Sequence, residues 1–422
     1  MSSVRRSRWL PALLATLAAA EAGVRLLAPK ARAIKPAPVE PRSYFTAEEI
    51  ERGRRFARGQ LALGLLGTTA ELAVLVAAVR SPRPVPRRLD RLGDGPVAAG
   101  AAAIGLSVTS SLAGLPVAAL SRRRARAVGL VTQSWRGWGI DLLKQTAIGA
   151  PLAGAGGGLI VSLTRRYQRA WWVPVAAGSL AASALFTTLG PVVLDPIFNR
   201  FTPLPEDQTR ADVLELAGAA GVQVGEVYSV DASRRTTAAN AYVTGLGPTK
   251  RVVLFDTLLD RYSRDEIRLV VAHELAHVRH RDVPRGLAYA AIVVPAGAFA
   301  VQRLSWSLAP ARRGSAGALP ALALAAMLVA GPTGLIAGRL SRAIERCADT
   351  VALELTDAPE AFISFERRIA LQNVADLDPP RLISALLATH PPTAERIGAA
   401  VAFEAEASAL RSPASRRTPA GS

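Results

Sequence analysis

Residues 263–281 read SRDEIRLVVAHELAHVRHR and hold three of the 4 histidines in the 422-residue chain. Ser263, followed three residues later by Glu266, is a capping box, which predicts a helix that begins immediately after the serine. Because His273 and His277 are four residues apart, both imidazoles lie on one helix face, about 6 Å apart along the axis. The segment therefore predicts a zinc-binding helix, around which the fold must bring further ligands.

A catalytic zinc site needs a third protein ligand, and its fourth position is left to water. His280 lies about 10 Å along the helix from His273, too far to share one ion, and is expected to be a polar side chain at the helix end. His390, on a loop followed by two prolines, is a possible ligand. Glu345 is favoured because Asp349 follows it by four residues on the same helix face. The first carboxylate can bind zinc while the second hydrogen-bonds a ligand imidazole.

The predicted ligands define a mechanism for hydrolysis. Zinc lowers the pKa of a bound water and polarises the scissile carbonyl. Glu274, next to the first ligand, is predicted to accept the water proton and deliver it to the leaving amine. His390 and Arg396 are expected to donate to the tetrahedral oxyanion if their loop folds over the site.

The composition indicates a membrane protein. Half of the residues are hydrophobic and the mean hydropathy is positive, yet the formal net charge is +18. The apolar residues occur in clumps, each long enough to cross about 30 Å of hydrocarbon. The predicted spans are residues 9–27, 60–79, 96–120, 140–163, 171–194, 286–304 and 316–336. The first could instead be a cleaved signal peptide, but retention is favoured because Val24, Leu26 and Leu27 extend the apolar stretch.

Basic residues are concentrated between the spans, notably in residues 80–91, 122–126 and 165–166. Contact with anionic lipid headgroups explains them. A nucleic-acid partner is not expected, because such proteins present a basic face with stacking aromatics and only 5% of this chain is aromatic. The single cysteine, Cys347, cannot form an internal disulfide.

The pattern predicts a mainly α, polytopic membrane protein with about seven transmembrane helices and a small α+β zinc-peptidase domain with a short edge strand. The expected parts are an N-terminal membrane region (1–194), a catalytic segment with strands and the zinc helix (195–285), two further spans (286–338), a second catalytic segment (339–407) and a disordered tail (408–422). Outside the spans, residues 46–58 form a charged amphipathic stretch. The predicted elements are helices 207–220 and 341–349 and strands 222–230, 242–246 and 251–255, the last two joined by a turn at 247–250.

Several of these motifs together resemble a known family. Residues 273–277, Glu345 with Asp349, and residues 390–396 are similar to those of the M48 zinc metallopeptidases. The closest likeness is to their Ste24-type integral membrane branch, known for CaaX prenyl proteases. Residues 195–204, 240–242 and 253–259 match as well, as does the order of parts.

The resemblance implies one zinc ion per chain, held by His273, His277 and Glu345, with Glu274 as the base and Asp349 behind the ligands. It implies that His390 and Arg396 contact the substrate or the transition state. Asn240, Ala241 and Tyr242 would offer a strand edge to an extended peptide. It also implies that the helices form a hollow bundle faced by the zinc site.

Other functions remain open at this point. One is a quality-control membrane protease of the HtpX type, although seven spans favour the Ste24 type. An intramembrane site-2-type protease is disfavoured because charged residues surround the zinc motif. A transporter or scaffold with a structural zinc would need a fourth cysteine or histidine ligand. The expected partners are a peptide or membrane-protein substrate and the bilayer, with the active site toward the cytoplasm of a bacterial inner membrane. The oligomeric state is open.

Overall fold

The computed structural model describes residues 9–81, 93–245 and 250–411, apart from the side chains of residues 410 and 411. In chain order, the helices are α1 (Trp9–Leu27), α2 (Ala47–Arg80), α3 (Pro96–Ala127), α4 (Trp135–Arg166), α5 (Trp172–Val193), α6 (Asp195–Phe198), α7 (Gln208–Ala219), α8 (Asp256–Arg261), α9 (Arg264–Arg279), α10 (Asp282–Leu308), α11 (Leu319–Thr356), α12 (Pro359–Gln372), α13 (Arg381–Leu387) and α14 (Thr393–Arg411). The strands are β1 (Phe201–Pro203), β2 (Glu226–Val230), β3 (Ala241–Thr244) and β4 (Arg251–Phe255).

Within these residues, 7 helices are long and apolar enough to cross a membrane: α1 to α5, α10 and α11. Each of them overlaps one predicted span, and the described chain also forms one small sheet. The prediction of a mainly α membrane protein with a small α+β part is therefore confirmed. The last helix, α14, continues to Arg411, past the predicted start of the tail at Ser408. Residues 412–422 of that tail lie outside the described chain.

Two helices are longer than predicted because nothing in the sequence ends them. The charged amphipathic stretch 46–58 and the span after it form the single helix α2, which begins at the capping box of Thr46 and Glu49. The predicted span 316–336 and the helix 341–349 are likewise joined in α11. The link between them, residues 337–340, contains neither a proline nor a residue in the left-handed conformation that commonly ends a helix. The third predicted ligand, Glu345, is thus on a helix that continues from the membrane bundle.

The sheet has the strand order β1-β2-β4-β3. Strands β2 and β4 are parallel, and β1 and β3 run antiparallel to them on the two sides. Strand β3 is an outer strand, as predicted for an edge, and pairs only with β4 within the described chain. The predicted strands 222–230 and 242–246 are shortened to Glu226–Val230 and Ala241–Thr244. Most of the predicted turn between β3 and β4 lies in residues 246–249, outside the described chain.

One apolar core joins the sheet to the zinc-motif helix and to the end of α11. Its fully buried side chains include Leu254 of β4, Leu269 and Leu275 of α9 and Leu353 of α11. Burying a leucine contributes about 1.5–3 kcal/mol relative to leaving it exposed. The faces of α9 and α11 that carry the predicted ligands are therefore fixed against each other by packing.

The membrane helices line an open cavity of about 770 Å³ with mainly apolar walls. Helices α3 and α4 approach closely beside it: a side chain at Gly154 would meet Ile104, and one at Gly157 would meet Ala103 and the carbonyl of Ala99. Small residues permit such contact between membrane helices. The glycine- and alanine-rich fourth span is therefore used for helix packing.

Candidate metal centre

Helix α9 presents the two histidines of the motif as the sequence predicts. The Ser263 hydroxyl accepts from the backbone N–H of Glu266, and the Glu266 side chain accepts from the backbone N–H of Ser263. One face of the helix is buried in the core, and the imidazoles of His273 and His277 lie on a face that is only partly buried. Their rings are nearly perpendicular, at 83°, and their Nε2 atoms are 3.2 Å apart.

Glu345 of α11 completes a group of three ligand atoms that could hold a metal ion, all within 4.8 Å of one another. Its Oε2 lies 3.2 Å from His273 Nε2, and its Oε1 lies 3.8 Å from His277 Nε2. Ligand atoms on a tetrahedral zinc, each about 2.0–2.2 Å from the ion, lie about 3.3–3.6 Å from one another. The observed separations are close to these values, although they are measured to different oxygens of Glu345, so the group could hold such an ion.

The hydrogen bonding of this group also fits a metal. Oε2 of Glu345 is buried and has no hydrogen-bond donor among the described residues, despite its short distance to His273. A buried acceptor without a partner costs about 1–3 kcal/mol. A cation bound between the two imidazoles and the carboxylate would satisfy that acceptor. Imidazole nitrogens and a carboxylate oxygen are also the donor set that catalytic zinc prefers.

Asp349, one turn after Glu345, stands behind His273. Its Oδ1 is 2.9 Å from the Nδ1 of that imidazole. Arg396 of α14 holds the same carboxylate with two hydrogen bonds, of 2.9 and 2.5 Å, and its third nitrogen is 2.6 Å from Glu366 of α12. The carboxylate is therefore fixed in place and orients the imidazole so that Nε2 faces the metal position.

Asp282 does the same for the second histidine, and the sequence analysis missed it. Its Oδ2 lies 2.9 Å from His277 Nδ1, and its Oδ1 accepts from Arg285. Arg281, between α9 and α10, has the left-handed φ of 55°, which turns the chain so that the first residue of α10 returns to the histidine. The only sequence signal was an acidic residue five positions after the ligand.

A cavity of about 510 Å³ lies beside the ligand group, and it is lined by His273 and Glu274. His390, Arg396 and Asn240 line the same cavity, so the structure brings these predicted residues together. The His390 side chain is 62% exposed, and its Nε2 is 3.5 Å from Glu345 Oε2. Arg396 also lines the cavity, but it differs from His390 because its guanidinium nitrogens contact the carboxylates of Asp349 and Glu366.

Comparison with known proteins finds a family match over the region that contains these residues. The sequence profile of peptidase family M48 matches residues 203–404, which include all three candidate ligands.

Residues 203–404 are an M48 peptidase domain.

The chain is 29% identical over 300 residues to "Uncharacterized metalloprotease YhfN" of Bacillus subtilis, covering 69% of this chain and 70% of that one. It is 34% identical over 143 residues to "CAAX prenyl protease 1" of Saccharomyces cerevisiae, covering 33% of this chain and 31% of the yeast protein. The crystal structure of S. mikatae Ste24p superposes with a TM-score of 0.72 at 20% identity, covering 94% of this chain and 98% of that one. The chain is thus homologous to YhfN and to the CAAX prenyl proteases, and it has the Ste24p fold.

Other predicted residues lie around the M48 cavity or outside it. Asn240 is exposed beside the cavity, whereas Ala241 is buried. The hydroxyl of Tyr242 donates to Asp195 at 3.3 Å, so β3 is tied to the end of the membrane bundle. His280 caps the end of α9 and is not in the ligand group, as expected. Glu366 is a second residue that the sequence analysis missed, since no local pattern marks it.

Burial and charge shift two pKa values in the M48 site. Burial raises the pKa of Glu274 above its usual range, while the two histidines act in the opposite direction. Burial lowers the pKa of His273, but the carboxylates of Asp349 and Glu345 outweigh this effect and raise the pKa to about 10. Metal binding by this imidazole therefore requires the loss of a proton. A raised pKa suits Glu274 to act as a base near neutral pH.

We expect Asp282→Ala to weaken zinc binding by about 10–100-fold, the usual effect of removing a carboxylate behind a ligand histidine. The imidazole of His277 then loses the partner that fixes its orientation. The measurement is zinc affinity by competition with a chromogenic chelator. Asp260→Ala, which removes an exposed carboxylate on α8, is the matched control. Equal affinities for the two variants would contradict the role given to Asp282.

Proposed function

We propose that the chain is a membrane-embedded zinc metalloendopeptidase with one zinc ion per chain, held by His273, His277 and Glu345. The observation that carries this proposal is the convergence of these three side chains, with one ligand atom from each within 4.8 Å of the others, beside a cavity lined by His273 and Glu274. Within the described residues the group has three members. A structural zinc would need a fourth, so a catalytic site is favoured over a scaffold.

A zinc ion bound there would polarise the scissile carbonyl and lower the pKa of a water molecule at its open position. Glu274 is the proposed general base, which accepts a proton from the attacking water and passes it to the leaving amine. Asp349 and Asp282 keep the two imidazoles in the orientation that leaves Nε2 free for the metal.

His390 is the proposed donor to the developing oxyanion. It lies at the edge of the cavity, next to Glu345, and its Nδ1 is 3.0 Å from the hydroxyl of Thr389. The Ser341 hydroxyl donates to the carbonyl of Thr389, which ties this loop to α11. Arg396 is proposed first as a positioning residue, through Asp349. Its predicted contact with the substrate stays a prediction.

The proposed substrates are peptides or membrane proteins that bind in extended form. Strand β3 is an outer strand, and Asn240, immediately before it, lines the cavity, so a peptide added beside β3 would pass the metal. CAAX peptides are a candidate class because of the name of the yeast relative. The proposed location is the bacterial inner membrane, with the site toward the cytoplasm.

The test is metal removal from the purified full-length protein. We expect 1,10-phenanthroline to abolish cleavage of internally quenched peptides from a mixed library that includes CAAX sequences, and stoichiometric zinc to restore it. The result would show whether the bound metal is required, since the chelator leaves the chain unchanged. Cleavage that persists in metal-free protein, or protein that binds no zinc, would overturn the proposal.

A further inference from the structure

A polar cavity of about 860 Å³, distinct from the two described above, lies where α4 and α10 end and α5 and α11 begin. It is called the far-end cavity here and is lined by Arg165, Arg169, Trp171, Ser305, Trp306 and Arg313, among others. Helix α10 begins beside His277 and reaches the far-end cavity at Ser305, about 35 Å further along the helix. The far-end cavity is therefore at the end of the membrane bundle opposite the M48 site.

The walls of the far-end cavity are strongly basic. Arg165, Arg169, Arg312 and Arg313 line it, against the single carboxylate of Asp94 among the described lining residues. None of the four arginines forms an ion pair with any residue that the structure describes. Arg312 is used structurally, because it donates to the backbone carbonyls of Val79 and Ser81. The other three are exposed, which leaves their donors available to an anion.

Two tryptophans add to this arrangement. The guanidinium of Arg313 lies 4.6 Å from the ring centre of Trp306, a cation–π contact that holds the side chain while its N–H groups can still donate. Trp171 is only 2% exposed, and its indole N–H has no acceptor among the described residues. Tryptophan and arginine at the ends of membrane helices are typical of the headgroup region.

We propose that the far-end cavity binds a phosphate group through Arg165, Arg169 and Arg313. Planar guanidinium groups bind phosphate oxygens with paired, charge-assisted hydrogen bonds. The phosphate could be presented by an anionic phospholipid or by a soluble ion. The position at the ends of four membrane helices, where lipid headgroups lie, favours the lipid. This site is independent of the proposed peptidase chemistry.

The test uses delipidated full-length protein in a non-ionic detergent. Binding of phosphatidylglycerol and of phosphatidylcholine with the same acyl chains is measured by native mass spectrometry. A separate arm measures inorganic phosphate by thermal shift against chloride at equal ionic strength. The variant is R165Q/R169Q/R313Q. The control is R42Q/R52Q/R136Q, which removes three exposed arginines without ion-pair partners from the described chain near the M48 end.

We expect one phosphatidylglycerol per chain to bind, with phosphatidylcholine weaker, and the far-end variant to lose about 100-fold in affinity, the sum of three arginine contacts of usual strength. The control variant should change affinity less than threefold. Saturable binding of inorganic phosphate that only the far-end variant loses would support the site and identify a soluble ligand. Equal losses in the two variants, or no binding of either probe, would overturn the proposal.

Discussion

Glu274→Gln is expected to reduce peptide cleavage by about 10²–10⁴-fold while zinc stays bound, because the amide cannot accept the proton from the attacking water. Gln has nearly the same shape, and Glu274 is not one of the three grouped ligand atoms, so the metal site should be unchanged. The decrease should occur in kcat more than in KM, since the base acts in the transition state. The measurement combines steady-state kinetics with metal analysis of the same protein preparation.

Glu404→Gln is the matched control, because it makes the same chemical change at an exposed position of α14. It should leave kcat within about twofold, as expected for a surface substitution. If Glu274→Gln retained wild-type kcat, the base would have to be another group. If it lost zinc, Glu274 would have to be assigned to the metal rather than to the proton.

Glu345→Ala is expected to remove both zinc and cleavage. With only two imidazoles left, the decrease in zinc affinity should exceed the 10–100-fold typical for loss of a group behind a ligand. Zinc content after dialysis and peptide cleavage are measured together. Glu354→Ala, on the same helix and in a solvent-exposed ion pair with Arg32, serves as the control. Full zinc content in Glu345→Ala would contradict the proposed third ligand, and His390, which is 3.5 Å from that carboxylate, would be the next candidate.

The sequence alone was enough to predict those parts of the site whose geometry depends on a single helix. A capping box set the start of α9, and spacings of four placed His273 with His277 and Glu345 with Asp349. The seven apolar clumps predicted the membrane helices for the same reason, since length and hydropathy are local properties.

Asp282 and Glu366, which the sequence did not predict, reach the site through contacts between separate helices. Asp282 reaches His277 only because Arg281 adopts a left-handed conformation, and no residue type there signals such a turn. Glu366 joins the site through Arg396, which comes from a third helix. The engagement of Arg396 by two carboxylates could not be predicted either, because it requires α11, α12 and α14 to meet.

The division of the metal site between helices makes it sensitive to the bilayer. His277 is oriented by Asp282, the first residue of α10, and the third ligand is on α11, so the relative height of these two helices sets how Asp282 meets the histidine. A bilayer that is too thin or too thick is accommodated by helix tilt and sliding. We therefore expect hydrophobic mismatch to change zinc affinity through the orientation of His277, so that acyl-chain length becomes a means of tuning the metal site.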